Sequence, residues 1–240
     1  MVKKVGVAVI CGSGGDDLGF KTINKLYVNT KFGQPSSPLQ IFDYGIGRVI
    51  IISRHGLDRS IPPHNINHRA NIEALRTSNV EHVISLTSVG SLKKHLKPPS
   101  IMIPDDYINL WNPLSIFDHT IEHITPGLDQ ELRQTLLAAA KRIDMPVLDS
   151  GIYAQTIGPR LETKAEVRML QNFADVVGMN MATEATLCKE AGLAYANISS
   201  IDNYANGIQK EELDFAEILD QAKANMDKVK KLVAAVLEDL

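Results

Sequence analysis

Cysteine is nearly absent from this chain: Cys11 and Cys188 are the only two in 240 residues. Both sit in apolar segments, and neither belongs to a metal-ligand or redox spacing. Two buried free thiols in a reducing compartment are expected, not a disulfide framework or a metal centre. An excess of positive charge is also missing. Twenty-five Lys and Arg face 28 Asp and Glu, a formal net charge of −3, and no dense basic block occurs. Nucleic acid is therefore a poor partner, and any anion must be held by a local cluster or by backbone amides. No apolar run approaches the ~20 residues of a membrane helix. Met1-Val2-Lys3-Lys4 leads straight into a strand-like run with no signal peptide, so the expected location is cytoplasmic. Repeats, low-complexity tracts and linkers are lacking as well, which leaves one domain over residues 1–240.

What is present is an alternation of apolar strands and amphipathic helices. Val5–Ile10 reads as a strand buried on both faces. Leu39–Tyr44 and Arg48–Ser53 read as a hairpin around Gly45-Ile46-Gly47. Ile66, Ala70, Ile72 and Leu75 form the apolar stripe of a helix over Asn65–Thr77. Further strands are expected at Val83–Val89, Ile101–Asp106, Ile152–Ile157, Ala174–Met179 and Leu193–Ile201. Helices are expected at Glu131–Ile143, Ala165–Phe173, Thr183–Glu190, with Thr183 helping to cap it, and Glu211–Leu240. Residues 107–127, which hold Trp111, His119 and His123, read as a long irregular segment. The pattern predicts an α/β fold with a mixed, mostly parallel central sheet flanked by helices.

The strand ends carry the chemistry. Cys11-Gly12-Ser13-Gly14-Gly15 offers backbone amides and the Ser13 hydroxyl to an anion, or is a tight turn. It lacks the third glycine of a dinucleotide fingerprint, where Asp17 stands. Arg54-His55-Gly56, with Arg59 and Pro62-Pro63-His64 behind, reads as an oxyanion clamp or a solvated basic loop. Thr87 and Ser88 precede Gly90-Ser91 and can donate to a phosphate or cap a turn. Gly158-Pro159 breaks a strand and delivers the carboxylate of Glu162 to its end, where ligands bind in open α/β sheets.

Taken in order, Ser13 in its Gly-rich turn, Arg54-His55-Gly56, Pro62-Pro63-His64 with Asn67-His68-Arg69-Ala70-Asn71, Thr87-Ser88-Val89-Gly90-Ser91-Leu92, Gly158-Pro159-Arg160 with Glu162-Thr163, and Val177-Gly178-Met179 form one pattern. It resembles the trimeric purine nucleoside phosphorylase and methylthioadenosine phosphorylase family, from Val5 to about Leu219. The resemblance implies the nucleoside phosphorylase fold and phosphorolysis. Inorganic phosphate is a co-substrate, no further cofactor or metal takes part, and the products are free purine and a pentose 1-phosphate.

By the same resemblance, Ser13, Arg54, His55, Thr87, Ser88 and Asn180 match the phosphate site, the last standing where a hydroxyl residue is usual. Met179 matches the residue against the ribose, and Glu162 with Asn203 the base-binding pair. Leu161 stands where a phenylalanine usually stacks on the base. His123 matches a histidine that reaches a neighbouring subunit, implying a homotrimer or a dimer of trimers.

A carboxylate accepts hydrogen bonds and cannot donate while ionised. Hypoxanthine and guanine carry a donor at N1, whereas adenine has an acceptor there. Glu162 thus favours a 6-oxopurine nucleoside. The adenine-specific branch has serine at the Glu162 position and Asp-x-Asp around that of Asn203. Phe215 and, one turn on, Leu219 occupy the region where ribonucleoside enzymes of the family place a 5′-hydroxyl-binding histidine. An apolar pocket there suits 5′-methylthioinosine; the alternative is that Phe215 only packs in the core. A 5′-methylthioadenosine phosphorylase and a catalytically weak purine-binding homologue are the competing readings.

Overall fold

Alternate residues of the first strand face opposite ways, and both sides are buried. Val7, Val9 and Cys11 enter one apolar cluster, and Ala8 and Ile10 enter another. This doubly covered strand is the middle of the molecule.

The computed structural model describes residues 6–12, 21–44, 47–111, 113–210 and 215–240, with backbone alone for 21 and 215–219. Its strands are β1 (Val7–Cys11), β2 (Lys21–Leu26), β3 (Leu39–Asp43), β4 (Arg48–Ser53), β5 (His82–Ser91), β6 (Ser100–Met102), β7 (Asp106–Asn109), β8 (Ile152–Gln155), β9 (Val176–Gly178) and β10 (Ala194–Tyr204). Its helices are α1 (His68–Thr77), α2 (Gln130–Arg142), α3 (Lys164–Leu170), α4 (Met181–Glu190) and α5 (Phe215–Asp239). The strands form one mixed sheet in the order β2-β3-β4-β1-β5-β9-β8-β7, with β10 paired to β5 and β6. Helices α2 and α5 cover one face through Leu136, Leu232 and Val236. Helices α1 and α4 cover the other through Ile72, Leu75 and Leu187. The shorter α3 packs Val167 and Leu170 onto Ala154, Val177 and Ala205.

The site follows from how β5 is paired. One edge is taken along its length by β10, His82 to Ser91. On the other edge, β1 pairs in parallel only with His82–Ser85. Strand β9 pairs antiparallel only with Gly90 and Ser91. Among the described residues, Leu86 to Val89 therefore have no strand partner on that edge. Because β1 and β9 run in opposite senses, their carboxyl ends converge on the same gap.

Several boundaries differ from expectation. Helix α1 starts at His68, because Pro63–Asn65 forms a 3₁₀ turn and the Asn67 side chain caps the Ala70 N–H at 3.1 Å. Helix α4 starts at Met181, so Thr183 lies inside it and is not its cap. Thr183 is instead locked to Gln155, whose Oε1 accepts from its N–H at 2.9 Å and whose Nε2 donates to its hydroxyl at 2.6 Å. Tyr107–Asn109, expected to be irregular, pairs in parallel with β8. Strand β10 runs past Ile201 to Tyr204 through a bulge at Asp202. Strand β2 was not expected; its Thr22–Leu26 side chains are exposed and show no buried face. The turn residues Gly45 and Ile46 and the start of the last helix at 211–214 lie outside the described residues.

Candidate active site

Arg54 follows the last residue of β4, and its N–H donates to the Cys11 carbonyl at 2.9 Å. The side chain then enters the gap beside β5 and is 1% exposed. A bare guanidinium there would be prohibitive, so its five N–H donors must be matched. Nε donates to Glu184 Oε1 at 2.5 Å, and Nη2 to Glu184 Oε2 at 3.1 Å and Ser85 Oγ at 2.8 Å. Nη1 donates to the unpaired Leu86 carbonyl at 2.9 Å. Among the described residues, the second Nη1 proton meets no acceptor. Gly12 is required beside it, because a Cβ there would lie 2.5 Å from Nη1 and 3.0 Å from the Leu86 oxygen.

Glu184 comes from α4 and also accepts from Ser85 Oγ at 2.6 Å and Tyr195 Oη at 3.1 Å. Burial pushes its carboxyl upward, but the Arg54 charge and hydrogen bonds outweigh it and hold the group below the usual range. Burial would likewise lower Arg54, yet Glu184 leaves it raised. Burial raises the Cys188 thiol well above its ordinary range, with Glu184 adding to the effect, so Cys188 is no nucleophile.

A cavity of about 230 Å³ opens at the gap. Arg54, His55, Thr87, Ser88 and Asn180 line it, as do Leu161, Glu162, Met179 and Asn203 from the other expected subsites. His55 has Nδ1 2.9 Å from the Ile61 carbonyl, which fixes that nitrogen as a donor. Thr87 is turned inward, its hydroxyl 3.2 Å from both Asn197 Oδ1 and Ser199 Oγ. Ser88 is exposed to the cavity. Asn180 is the N-cap residue of α4 without capping it by its side chain, and its buried Oδ1 has no partner among the described residues.

On the opposite wall, where the base-binding pair was expected, Glu162 is 6% exposed. Thr156 Oγ1 donates to its Oε1 at 2.6 Å, and Asn206 Nδ2 to its main-chain oxygen at 3.0 Å. Among the described residues no donor meets Oε2. Immediately after Glu162, Thr163 and Glu166 form a capping box that starts α3, and Arg160 pairs with Glu166 at 2.8 Å. Gly158, at φ +68°, has Met179 packed where a Cβ would project, so the base loop and the residue expected against the ribose touch. Asn203 pairs with Gly90 one step after Ile201 pairs with Val89, leaving Asp202 as the extra residue of a bulge. Asp202 turns inward, accepting from Ser200 Oγ and from Asn225 Nδ2 at 3.2 Å. Burial raises its carboxyl against the hydrogen bonds from Ser200 and Asn225.

Not every expected residue joins this cavity. Ser13 lies outside the described residues. Phe215 and Leu219 lie in the first turns of α5, where backbone alone is described. His123 is exposed and does not line the cavity, and neither does exposed Arg59 at φ 58°. The clamp expected of two guanidiniums thus reduces to Arg54 and His55. His64 and Trp111 line a neighbouring cavity of about 430 Å³, which meets the first at Pro63 and Met179. Sequence reasoning missed Glu184, Ser85, Thr156 and Asn206. Thr156, six residues before Glu162 at the strand's end, was the one with a visible signal.

His68 reports on the charged network. It is buried, 3.8 Å from Glu184 Oε1, and its Nδ1 has no hydrogen-bond partner among the described residues. Burial and the charges of Arg54 and His55 outweigh attraction to Glu184 and lower it from 6.5 to about 4. The unfolded chain then binds a proton that the folded one refuses. Stability falls as pH drops from about 6.5 towards about 4, by up to about 3 kcal/mol. Urea unfolding at pH 7 and 4.5 should show this loss, and His68→Gln should shrink it; an equal loss in both proteins would contradict the assignment.

Comparison with known proteins places this geometry in context. A probable 6-oxopurine nucleoside phosphorylase from Archaeoglobus fulgidus is 43% identical over 214 residues, 89% of this chain and 87% of that protein. An S-methyl-5′-thioadenosine phosphorylase from Pyrococcus furiosus is 37% identical, over 95% of this chain and 90% of that one. A probable S-methyl-5′-thioinosine phosphorylase from Methanocaldococcus jannaschii is 34% identical over the same shares, 95% and 90%. Methylthioadenosine phosphorylase from Schistosoma mansoni, solved with adenine, superposes with a TM-score of 0.89 at 25% identity, covering 98% of this chain and 91% of that one. Residues 6–238 match the family model of the phosphorylase superfamily, and the chain belongs to that family.

Proposed function

We propose that this chain catalyses phosphorolysis of 6-oxopurine nucleosides, giving free purine and a pentose 1-phosphate. The observation that carries the reading is Glu162: a buried acceptor with one oxygen held by Thr156 and the other met by no donor among the described residues. Such a group matches the N1–H of hypoxanthine or guanine and mismatches the acceptor N1 of adenine. A buried donor–acceptor mismatch costs about 1–3 kcal/mol or more. The identity to the Archaeoglobus protein supports the same substrate class. Relatives named for methylthioadenosine keep a 6-amino substrate as the second reading.

In the proposed reaction, a phosphate oxygen bonds to C1′ as the C1′–N9 bond breaks, and the purine leaves with the electron pair. Ser88, His55 and the remaining Arg54 proton position the phosphate, with Ser13 as the expected further donor. The Asn180 amide, with its Oδ1 unpartnered among the described residues, turns its N–H₂ to the same anion. Negative charge grows on the purine, and Asn203 donates to N7 or O6 while Glu162 holds N1–H. Positioning and charge stabilisation do the work, without a covalent enzyme intermediate or a further cofactor. Met179 packs on the ribose, Leu161 lies at the base, and Phe215 with Leu219 forms an apolar 5′ pocket for a methylthio group. Within this reading, residues 1–240 act as one cytoplasmic unit that assembles as a homotrimer or a dimer of trimers. His123 of one copy then reaches the sugar of the next, and exposed Leu110, Trp111 and Ile121 support burial of that segment between copies.

Glu162→Ala and Asn203→Ala should each lower phosphorolysis by on the order of 10²-fold. Near-normal rates for both would remove these residues from the site. Phe215→His should raise kcat/KM for inosine relative to 5′-methylthioinosine; an unchanged ratio would return Phe215 to the core.

A further inference from the structure

Asn206 belongs to no motif that pointed to the base site, yet its side chain lines the same cavity as Glu162 and Asn203. Its loop is fixed on both sides. The Ala205 N–H donates to the Ser91 carbonyl at 2.8 Å, and the Ile208 N–H to the Ala205 carbonyl at 3.1 Å. Ala205 also packs against Gly90, 3.5 Å from where a Cβ would stand.

The amide is oriented by its bond to the main-chain oxygen of Glu162, 3.0 Å from Nδ2. A carbonyl oxygen can only accept, so the nitrogen faces Glu162 and Oδ1 is left as an acceptor. No donor among the described residues meets Oδ1. Two acceptors from adjacent loops, Glu162 Oε2 and Asn206 Oδ1, are thus uncommitted beside one cavity.

We propose that Asn206 is a specificity-determining residue that accepts a hydrogen bond from the 2-amino group of guanine nucleosides. The proposal rests on the 6-oxopurine reading. On the purine ring the 2-amino group is the donor next to N1–H. A guanine whose N1–H lies on the Glu162 carboxylate presents that amine to the neighbouring acceptor. Inosine and 5′-methylthioinosine have no group there, and leave Oδ1 unmatched. The competing role for Asn206 is a tether that only ties its loop to Glu162; such a tether affects every purine equally.

The test is the ratio of guanosine to inosine, read twice: as kcat/KM with phosphate, and as Kd by calorimetry without it. Asn206→Ala should lower guanosine about tenfold more than inosine in both readouts, as loss of one buried hydrogen bond does. Asn206→Asp keeps an acceptor oxygen but loses the N–H to Glu162, and its ratio should stay within about threefold of the unmodified enzyme. Thermal unfolding of each variant checks that it is folded. An unchanged ratio in Asn206→Ala, with both nucleosides weakened together, overturns the proposal and makes Asn206 a tether. That result leaves the 6-oxopurine reading intact, whereas binding of neither nucleoside by the unmodified enzyme overturns both.

Discussion

A fully buried ion pair, Arg54 with Glu184, holds the site open. The guanidinium occupies the place of a missing strand partner beside Leu86, and without its carboxylate it would be an uncompensated charge in the core. Removing one member of such a pair typically costs about 3–5 kcal/mol. The pair is tolerable because Ser85, Tyr195 and the Leu86 carbonyl satisfy what the two charges leave over. It also joins four elements: the ends of β1 and β4, the bare edge of β5, and α4. The gap between converging strand ends is therefore propped as a cavity, with one guanidinium proton uncommitted among the described residues.

The opposite wall is made by shorter-range devices. Thr156 turns the Glu162 carboxylate, Asn206 holds its main chain, and the Thr163–Glu166 capping box starts α3 directly behind it. The bulge at Asp202 places that carboxyl inward and Asn203 at the cavity; a one-residue change of register exchanges the two faces of a strand. The polar groups of the wall each have a protein partner that sets their direction, which is what electrostatic stabilisation of a leaving base requires.

Much of this was legible in the sequence. The first strand, read at Val5–Ile10 and observed at Val7–Cys11, declared itself because a strand buried on both faces is a continuous apolar run. The cavity residues were legible as a group, since glycine, proline and hydroxyl residues mark the strand ends that meet there. What stayed hidden was long-range or local in a way that periodicity does not record. Glu184 looks like an ordinary acidic residue in the first turn of a helix, and its partner lies 130 residues away. Thr183 has the composition of a cap, yet Gln155 claims it. Thr22–Leu26 has no buried face, and nothing in its pattern distinguishes an exposed edge strand from a loop.

The central claim is that a carboxylate, not a hydroxyl, reads the purine, and that this chain therefore takes 6-oxopurines. The most direct measurement supplies phosphate with inosine, guanosine, 5′-methylthioinosine or 5′-methylthioadenosine and quantifies the free base released from each. The account predicts hypoxanthine or guanine as the dominant product, in a strictly phosphate-dependent reaction. Adenine from 5′-methylthioadenosine as the dominant product would contradict it.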